Sequence, residues 1–393
     1  MKSVGPDKHL YFDYNATTPV SSEVFTALAP FFQDFFGNPS SLHAAGQQAA
    51  RAVREARKKA AALLGMSDER QIIFTSGGTE GNTTALRAAL GGHPDLKEIV
   101  TSRVEHSSVL KICRQLVKEG YRVREIGVDA EGHLDLEELK KSVGSRTAVA
   151  SFMLANNETG VLFPVAEIAG ICRGAGVPLH LDAIQAAGKT DLQGIMEYAD
   201  YVTLSGHKFY APKGIGVLAV GAKAPYVPLL IGGSQERGRR GGTENVPGIV
   251  GFGAACDWAL IHWREESVRL KSLRDQFESR LLSQVERLRI NGDRLMRLPN
   301  TSNVAFEGIE NEALLVLLDQ RGLCASSGSA CMSGAGDPSH VLSAMGLSGP
   351  LAKSSLRFSF GRWTRGEDIE TLVAALEECT DHLRSVAPRP VDL

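Results

Sequence analysis

A lysine and an aspartate each follow a short apolar run, and together they could perform carbonyl chemistry. Lys208 closes the segment that follows the run 201–204, and Asp182 follows the run 178–181. A lysine at the end of a buried strand can lose its proton through desolvation and become a nucleophile toward an aldehyde. A carboxylate in the same setting is costly to bury unless it meets a cation. Each residue alone also fits an ordinary role, as a surface lysine or as a helix cap.

A glycine-rich turn and a histidine follow two earlier apolar runs. The run 71–75 leads into Ser76-Gly77-Gly78-Thr79-Glu80 and then into a predicted helix, whose first N–H groups could hold a phosphate. The turn lacks the spacing of a P-loop or of a dinucleotide fingerprint, so this signal is weak by itself. His106 follows the run 98–101 and could stack on a flat ring and move protons, although a lone histidine is more often structural.

A cysteine lies among small residues near the end of the chain. Cys331 is part of the stretch 326–334, in which Ser, Gly and Ala predominate. An accessible thiolate can act as a nucleophile, and the small polar neighbours argue against a buried thiol. A Schiff-base lysine, a carboxylate for a ring nitrogen, a phosphate cradle, a stacking histidine and a reactive thiol together indicate one cofactor, pyridoxal 5′-phosphate.

Alternating strands and helices must position these residues. Short β-rich runs that are apolar on both faces are typical of buried parallel strands. Strands are predicted at 71–75, 98–101, 122–126, 148–152, 178–181 and 201–204, with helices at 79–90, 107–119, 134–142 and 165–175. Repeated strand–helix–strand units predict an α/β fold with a large, doubly wound, mostly parallel sheet.

The last third of the chain has a different pattern. A long helix is predicted at 246–284, after which strands at 301–306 and 354–359 alternate with helices at 312–320 and 365–386. We therefore expect a large α/β domain over residues 13–262. A smaller α+β C-terminal domain would combine residues 1–12 and 263–393 and carry the cysteine loop, about 324–340.

Composition argues against several classes of function. The 393 residues include 43 Lys+Arg and 45 Asp+Glu, and a net charge of −2 argues against general binding of nucleic acid. No apolar run approaches the roughly 20 residues of a membrane span, and the first residues lack a secretory pattern. The six cysteines include no CxxC pair, which disfavours a zinc site or a disulfide framework. We expect a cytoplasmic protein that binds neither nucleic acid nor membrane.

The sequence resembles the cysteine desulfurases of the class V aminotransferase group, which have the fold type I architecture of pyridoxal-phosphate enzymes. The likeness extends from about Leu10 to Pro388. Its motifs lie at 11–18, 36–41, 74–80, 155–160, 182–185, 205–208 and 326–331. The loop Ser326-Ser327-Gly328-Ser329-Ala330-Cys331 is similar to that of the long-loop group, and the segments 235–240 and 243–245 are most similar to the nitrogen-fixation type.

The resemblance implies a role for each candidate residue. Lys208 would form the Schiff base, Asp182 would pair with the pyridine nitrogen, and His106 would stack on the ring and assist proton transfer. The other cofactor contacts implied are Asn157 and Gln185 around the phenolic oxygen, and Gly78, Thr79, Ser205 and His207 at the phosphate. Arg357 would grip the substrate carboxylate beside Asn157. Thr243 would reach the phosphate from a partner subunit, which implies a homodimer.

The implied reaction removes sulfur from L-cysteine and gives L-alanine and a persulfide on Cys331. The sulfur would pass to an acceptor or iron–sulfur scaffold protein, for general cluster assembly or for nitrogenase maturation. No fixed metal site is implied, although Cys331 could be a transient iron–sulfur ligand with such a scaffold. The sequence departs from the family pattern at Gly81-Asn82, at Met332 and at Ala335-Gly336-Asp337. We expect the first change to affect local stability more than catalysis, and the others to affect the loop and acceptor docking.

Other functions stay open at this point. A pyridoxal-phosphate lyase acting on cysteine or selenocysteine could use the same fold, would give pyruvate and ammonia from cysteine, and would not need Cys331. A plain aminotransferase would not need the cysteine loop. A catalytically idle docking partner of an assembly complex would not need the set of Lys208, Asp182 and His106. The basic segment with Arg237, Arg239 and Arg240 could contact an acceptor or shape a dimer interface.

Overall fold

The computed structural model describes residues 9–328 and 338–386. The strands are β1 Leu10–Tyr11, β2 Ile72–Thr75, β3 Glu98–Ser102, β4 Arg122–Ile126, β5 Thr147–Met153, β6 Leu179–Asp182, β7 Tyr201–Ser205, β8 Gly216–Val220, β9 Leu288–Asn291, β10 Thr301–Phe306, β11 Leu323–Cys324 and β12 Ser355–Ser359. The α-helices are α1 Ser22–Leu28, α2 Pro30–Gln33, α3 Ala44–Leu63, α4 Gly78–Gly92, α5 Ser107–Lys118, α6 Leu136–Ser142, α7 Val165–Gly174, α8 Gln235–Gly238, α9 Val246–Gln284, α10 Asn311–Gln320, α11 His340–Ala344, α12 Gly349–Lys353 and α13 Gly366–Val386.

A seven-stranded sheet forms the centre of the larger core. Its strand order is β2-β8-β7-β6-β5-β3-β4, and β8 is antiparallel to both β2 and β7 while the other pairs are parallel. The predicted large, mostly parallel sheet is therefore confirmed. The sequence analysis missed β8, because a strand that returns antiparallel to its neighbour needs no crossover helix and leaves no strand–helix–strand pattern.

The strand at 122–126 is present, but the prediction that it is buried on both faces is wrong. β4 is an edge strand, and its residues Arg122, Arg124 and Glu125 are exposed. Charged side chains on an edge strand oppose pairing with another chain, so their presence here fits the position of β4 in the sheet.

Helices cover both faces of the sheet, as alternating burial along β2 illustrates. Ile72 and Phe74 belong to a cluster that includes Val53 of α3 and Phe252 of α9. Ile73 points to the opposite face and joins a cluster with residues of α4 and α5. Successive side chains of a strand lie on opposite faces, so a strand buried on both sides needs apolar residues at every position.

The 39-residue helix α9 links two cores. Ile249 and Phe252 of its first part pack in the core of the large sheet, whereas Leu270 and Phe277 of its second part pack in a separate core. The second core also includes the sheet β12-β10-β9 and the helices α10 and α13. The domain boundaries given above stay predictions. No helix within the described ranges has both the length and the apolar content needed to cross a membrane.

Candidate active site

Several strands of the large sheet end at one cavity of about 330 Å³. The parallel strands β5, β6 and β7 present their carboxyl ends at the same edge, where open α/β sheets commonly bind ligands. The predicted site residues that line the cavity are Gly78, Thr79, His106, Asn157, Asp182, Gln185, Ser205, His207, Lys208 and Arg357. The fold thus brings together residues that sequence analysis assigned separately to a cofactor and to a substrate.

Lys208 lies in the short turn that follows β7. Its Nζ donates hydrogen bonds to the backbone oxygens of Asn15, at 2.7 Å, and Ala16, at 2.8 Å. These two carbonyls come from the segment after β1, far away in the sequence. They orient the amine at the cavity wall.

Asp182 is the last residue of β6 and is buried. Its Oδ1 accepts a hydrogen bond from the backbone N–H of Ile184, at 3.0 Å, and its Oδ2 accepts one from Asn82 Nδ2, at 2.7 Å. Burial raises the pKa of the carboxyl, while the two hydrogen bonds and the charge of Lys208 oppose that rise. One oxygen therefore caps a local turn, as the alternative interpretation suggested, and the carboxyl also lines the cavity.

The glycine-rich turn after β2 places the start of α4 against the cavity. A Cβ atom on Gly78 would lie 2.1 Å from Ile184 Cδ1, so a side chain at this position would require the end of Ile184 to move. Thr79, Ser205 and His207 line the same cavity. Burial, and next the positive charge of Lys208, lower the pKa of His207 to about 4, so this ring is neutral near pH 7.

His106 lies immediately before α5 and caps that helix. Its Nδ1 accepts a hydrogen bond from the backbone N–H of Ser108, at 3.2 Å. Burial and the positive charge of Lys208 lower the pKa of the ring to about 4. His106 is therefore neutral near pH 7.

Asn157 and Gln185 lie on the side of the cavity that faces the segment after β1. The backbone oxygen of Asn157 accepts hydrogen bonds from Arg357 Nη1, at 3.0 Å, and from Asn15 Nδ2, at 3.3 Å. Gln185 Nε2 donates to the backbone oxygen of Asn15, at 3.0 Å. Both residues are thus tied to Asn15, the residue whose carbonyl also holds Lys208.

Arg357 is buried in β12 and has a carboxylate partner. Its Nη2 donates to Asp13 Oδ1, at 2.5 Å. Its Nε is buried and has no acceptor among the described residues. The guanidinium is thus neither a surface ion pair nor fully satisfied by the described protein.

Two predicted site residues do not line this cavity in the described structure. Cys331 lies outside the described residues, as does the rest of the segment 329–337. Thr243 is exposed and lines a separate surface depression that includes Phe36. Its predicted contact with the site of a partner subunit stays a prediction.

Several residues that line the cavity, or that hydrogen-bond to residues lining it, were not predicted from the sequence. They are Asp13, Asn82, Ser108, Glu158, Ser339 and His340. Asp13 and Glu158 stand inside motifs that carry the family resemblance, which was the available signal for them. Asn82 was noticed only as a departure from the family pattern, and its contact with Asp182 ties it to the site.

The basic segment near residue 238 is largely engaged within the protein. Arg239 Nη2 donates to the backbone oxygens of Arg70, at 2.6 Å, and Ile72, at 3.2 Å. Arg240 pairs with Glu80, with a distance of 3.0 Å from Nε to Oε1. These contacts hold Arg239 and Arg240 against the protein, and contact with an acceptor, or a role at a dimer interface, stays a prediction for this segment.

Comparison with known proteins shows the family of the chain. The chain matches the family described as aminotransferase class-V over residues 10–372. It is 48% identical to the cysteine desulfurase of Trichormus azollae over 379 residues, which cover 96% of this chain and 94% of that protein. It is 45% identical to the cysteine desulfurase NifS of Azotobacter vinelandii over 379 residues, with the same two coverages. A solved NifS-like protein has a TM-score of 0.90 and 34% identity, covering 95% of this chain and 100% of that one.

The chain therefore belongs to the class-V aminotransferase family, with the fold type I architecture. Within that family it belongs with the cysteine desulfurases, and the resemblance inferred from its motifs is confirmed.

Proposed function

We propose that this protein is a pyridoxal-phosphate-dependent cysteine desulfurase that transfers the sulfur of L-cysteine to Cys331. The observation that carries this proposal is the convergence of Lys208, Asp182 and Arg357 on one cavity in a member of this family. The family relationship supports the substrate and the reaction, because its curated relatives are named cysteine desulfurases.

The residues of the cavity fit pyridoxal 5′-phosphate. Lys208 offers an amine for the aldehyde, and Asp182 is a buried carboxyl that a protonated ring nitrogen would stabilise. The glycine at position 78 leaves room where any Cβ would collide with Ile184. When bound, the cofactor supplies an electron sink for the bond broken at the substrate's α-carbon.

The other polar residues would divide between the two ends of the cofactor. Thr79, Ser205 and His207, with the first N–H groups of α4, would hold the phosphate. Asn157 and Gln185 lie toward the segment after β1 and would face the ring edge that carries the phenolic oxygen. His106 would cover one face of the ring.

Lys208 would move the proton at the substrate's α-carbon. Its amine is oriented by the carbonyls of Asn15 and Ala16, which accept hydrogen bonds and cannot donate them. A positioned amine can take a proton from carbon and return it to another atom of the same substrate.

Arg357 would bind the substrate carboxylate. Nη2 is paired with Asp13 and Nη1 with the backbone oxygen of Asn157, which fixes the plane of the guanidinium. The remaining Nε–H has no acceptor among the described residues, and a carboxylate oxygen would supply one. An α-amino acid would thus be held by its carboxylate at a fixed angle to Lys208.

The reaction balances with Cys331 as the sulfur acceptor. The C–S bond of cysteine breaks and a sulfur–sulfur bond forms on Cys331, so that the two sulfurs are oxidised while the β-carbon is reduced. Of the two thiol protons, one stays on the persulfide and the other completes the methyl group of L-alanine. A thiol reductant then releases the outer sulfur as sulfide and is itself oxidised to a disulfide.

Product analysis tests this function. With L-cysteine and a thiol reductant, we expect alanine and sulfide in equal amounts, and we expect Cys331→Ala to lose sulfide release. Cys324→Ala is the matched control, since this half-buried thiol is outside the cavity, and it should keep both products. Pyruvate and ammonia, formed equally well by Cys331→Ala, would identify a β-lyase and overturn the proposal.

A homodimer is part of the proposed function. Large apolar side chains are exposed beside Thr243, among them Phe32, 66% exposed, and Phe36, 77% exposed, and a partner subunit would cover them. Thr243 would then reach the phosphate of the partner's site. Mixing Lys208→Ala subunits with Thr243→Glu subunits should restore activity to about one quarter of the sites, because each hybrid dimer regains one complete site. Mixtures as inactive as either parent would contradict a shared site.

The sulfur would pass to an acceptor or scaffold protein for iron–sulfur cluster assembly, including nitrogenase maturation, in the cytoplasm. Support for a reducing compartment comes from Cys113, Cys172, Cys256, Cys324 and Cys379, which are free thiols in the described structure. Cys331 would be the group that an acceptor meets, and it could hold cluster iron transiently. Transfer of labelled sulfur from the persulfide to a purified scaffold protein would test this step.

A further inference from the structure

The protonation of His106 can be derived from its hydrogen bonds. Its Nδ1 lies 3.2 Å from the backbone nitrogen of Ser108. A backbone N–H can only donate, so Nδ1 must be an unprotonated acceptor. In a neutral imidazole the hydrogen is then on Nε2.

The side chain of Ser108 also favours an unprotonated Nδ1 on His106. Its Oγ lies 2.9 Å from His106 Nδ1 and 2.9 Å from Asn82 Nδ2. The Asn82 amide nitrogen can only donate to Ser108, and Ser108 has a single hydroxyl hydrogen to give. That hydrogen is therefore available to His106 Nδ1, which receives two donors.

The orientation of Asn82 is set by Asp182. Asn82 Nδ2 lies 2.7 Å from Asp182 Oδ2, so a flipped amide would place its oxygen against a carboxylate oxygen. In the observed orientation both amide hydrogens are used, whereas Asn82 Oδ1 is buried without a partner among the described residues. A hydrogen-bonded chain thus runs from Asp182 through Asn82 and Ser108 to His106.

The surroundings of His106 also oppose a second proton on the ring. Burial is the largest effect, and the positive charges that face the ring belong to Lys208, His340 and Lys111. A proton on Nδ1 would point at the N–H of Ser108 and would remove the cap of α5. Geometry and charge therefore favour the same neutral form.

We propose that Asn82 and Ser108 are positioning residues that hold His106 as a neutral ring whose hydrogen is on Nε2. This inference rests on the proposed function, which assigns the moving proton to Lys208. It specifies how His106 would assist proton transfer: the ring can give the hydrogen on Nε2, whereas Nδ1 is occupied by its two donors. It also gives Asn82 a part in catalysis, beyond the effect on local stability expected from the sequence.

Nuclear magnetic resonance of the imidazole nitrogens tests the proposal in the holoenzyme. The chain has ten histidines, and His106→Gln assigns the signals of His106 by their disappearance. In the wild-type holoenzyme labelled with ¹⁵N-histidine, we expect an unprotonated Nδ1 and a protonated Nε2 that do not change between pH 6 and pH 8. A protonated Nδ1, or a His106 titration within this range, would overturn the proposal.

Two variants should shift His106 in the same direction, toward a ring that carries a hydrogen on Nδ1. Ser108→Ala removes one donor to Nδ1, and Asn82→Asp replaces the amide donor with a carboxylate that would draw the hydrogen of Ser108 away from the ring. Each should raise the pKa of His106 by about one unit or more and introduce the tautomer with Nδ1–H. The double variant should add little to either single variant, because both act through the same hydrogen bond.

Ser107→Ala is the matched control, since it removes the neighbouring hydroxyl and leaves the chain from Asp182 to His106 intact. It should leave the nitrogen signals of His106 unchanged. Unchanged signals in Ser108→Ala, or equal changes in Ser107→Ala, would contradict the proposal. Because these signals are read without cysteine turnover, they test the tautomer even if product analysis shows that the protein is a β-lyase.

Discussion

Two sides of the cavity hold their buried carboxyl groups in different ways. The floor is the hydrogen-bonded set of Asp182, Asn82, Ser108 and His106, and the wall is Glu158 with its neighbours Ser339 and Gly328. In the floor, Asp182 receives N–H donors from Asn82 and from the backbone, which are the donors that stabilise an ionised carboxylate. The floor is therefore arranged to keep a negative charge in place.

The wall instead fixes two ends of a chain segment. Glu158 is fully buried, and its Oε2 accepts a hydrogen bond from the hydroxyl of Ser339, at 2.6 Å. Gly328 has φ of +84°, and a Cβ there would lie 3.1 Å from the same oxygen. Residues on both sides of the segment that carries Cys331 thus meet at one carboxyl. The floor thus holds a charge at the cavity, whereas the wall joins the two described segments that flank residues 329–337.

The largest effect should follow removal of the amine of Lys208, which lines the cavity beside the floor. Lys208→Ala should lower alanine formation by at least roughly 10⁴-fold, because it removes both the covalent attachment and the base. Single-turnover measurement of alanine checks this. Lys223→Ala, which removes an exposed lysine, is the control and should keep nearly full activity. A Lys208→Ala variant with more than a hundredth of the normal rate would contradict the role assigned to this lysine.

A smaller effect should follow loss of the floor's charge. Asp182→Asn should lower the rate of alanine formation by roughly 10²- to 10³-fold, the range seen when one electrostatic partner of a reacting group is removed. The absorbance of the bound cofactor should change its pH dependence as well. Both readouts follow from losing the carboxylate that would pair with the ring nitrogen.

Asp200→Asn provides the matched control for Asp182→Asn. Asp200 accepts a hydrogen bond from the backbone N–H of Leu179, at 2.9 Å, at the end of β6 opposite to Asp182. Its substitution should leave the rate within about threefold and the cofactor spectrum unchanged. Equal losses in the two variants would mean that Asp182 acts through the stability of β6.

The sequence was most informative where a functional residue directly follows a strand. Lys208, Asp182 and His106 each come at or just after a buried apolar run, and parallel strands bring their carboxyl ends to one edge. Local pattern therefore predicted most of the sheet together with Asp182 and His106 of the floor. Family resemblance was needed for Arg357, which belongs to the other core.

Residues that act through long-range contacts could not be predicted in this way. Asn15 holds Lys208 across 193 positions, and Asp13 pairs with Arg357 across 344 positions. No periodicity or spacing encodes such pairs, because they depend on how the two cores pack. Asn82 shows the same limit: its position on α4 was evident, but its contact with Asp182 required the fold.

A substitution in the wall should lower the free energy of unfolding and leave the bound cofactor unchanged. Ser339→Ala removes the hydrogen bond to Glu158 and the cap that Ser339 provides to the N–H of Leu342. The free energy of unfolding should fall by about 1–2 kcal/mol. Denaturant unfolding of the holoenzyme measures this, and the cofactor absorbance should stay as in the wild type.

Ser348→Ala is the control for the wall, since Ser348 also precedes a short helix but makes no side-chain cap. Its unfolding free energy should change by less than about 0.5 kcal/mol. A change in cofactor absorbance in Ser339→Ala would contradict the division between floor and wall.

The smallest effect is expected at a cluster away from the cavity, where His133 and its partners Asp129 and Asp293 are partly exposed to solvent. His133 Nε2 lies 2.7 Å from Asp293 Oδ2, and Nδ1 lies 3.1 Å from Asp129 Oδ2. Burial disfavours the charged ring, but the hydrogen bonds to Asp293 and Asp129 outweigh burial and raise the pKa of His133. A raised pKa means that the folded state holds the proton more tightly than the unfolded state does. The contribution of the protonated His133 to the free energy of unfolding is thus complete below the unfolded-state pKa of about 6.5 and is lost as the pH rises through the folded-state pKa.

Asp293→Asn should therefore lower the free energy of unfolding by about 0.5 kcal/mol at pH 5.5 and by less at pH 9. Denaturant unfolding at the two pH values measures the difference, and an equal or larger loss at pH 9 would show that Asp293 acts through its backbone contacts and not through the charge of His133.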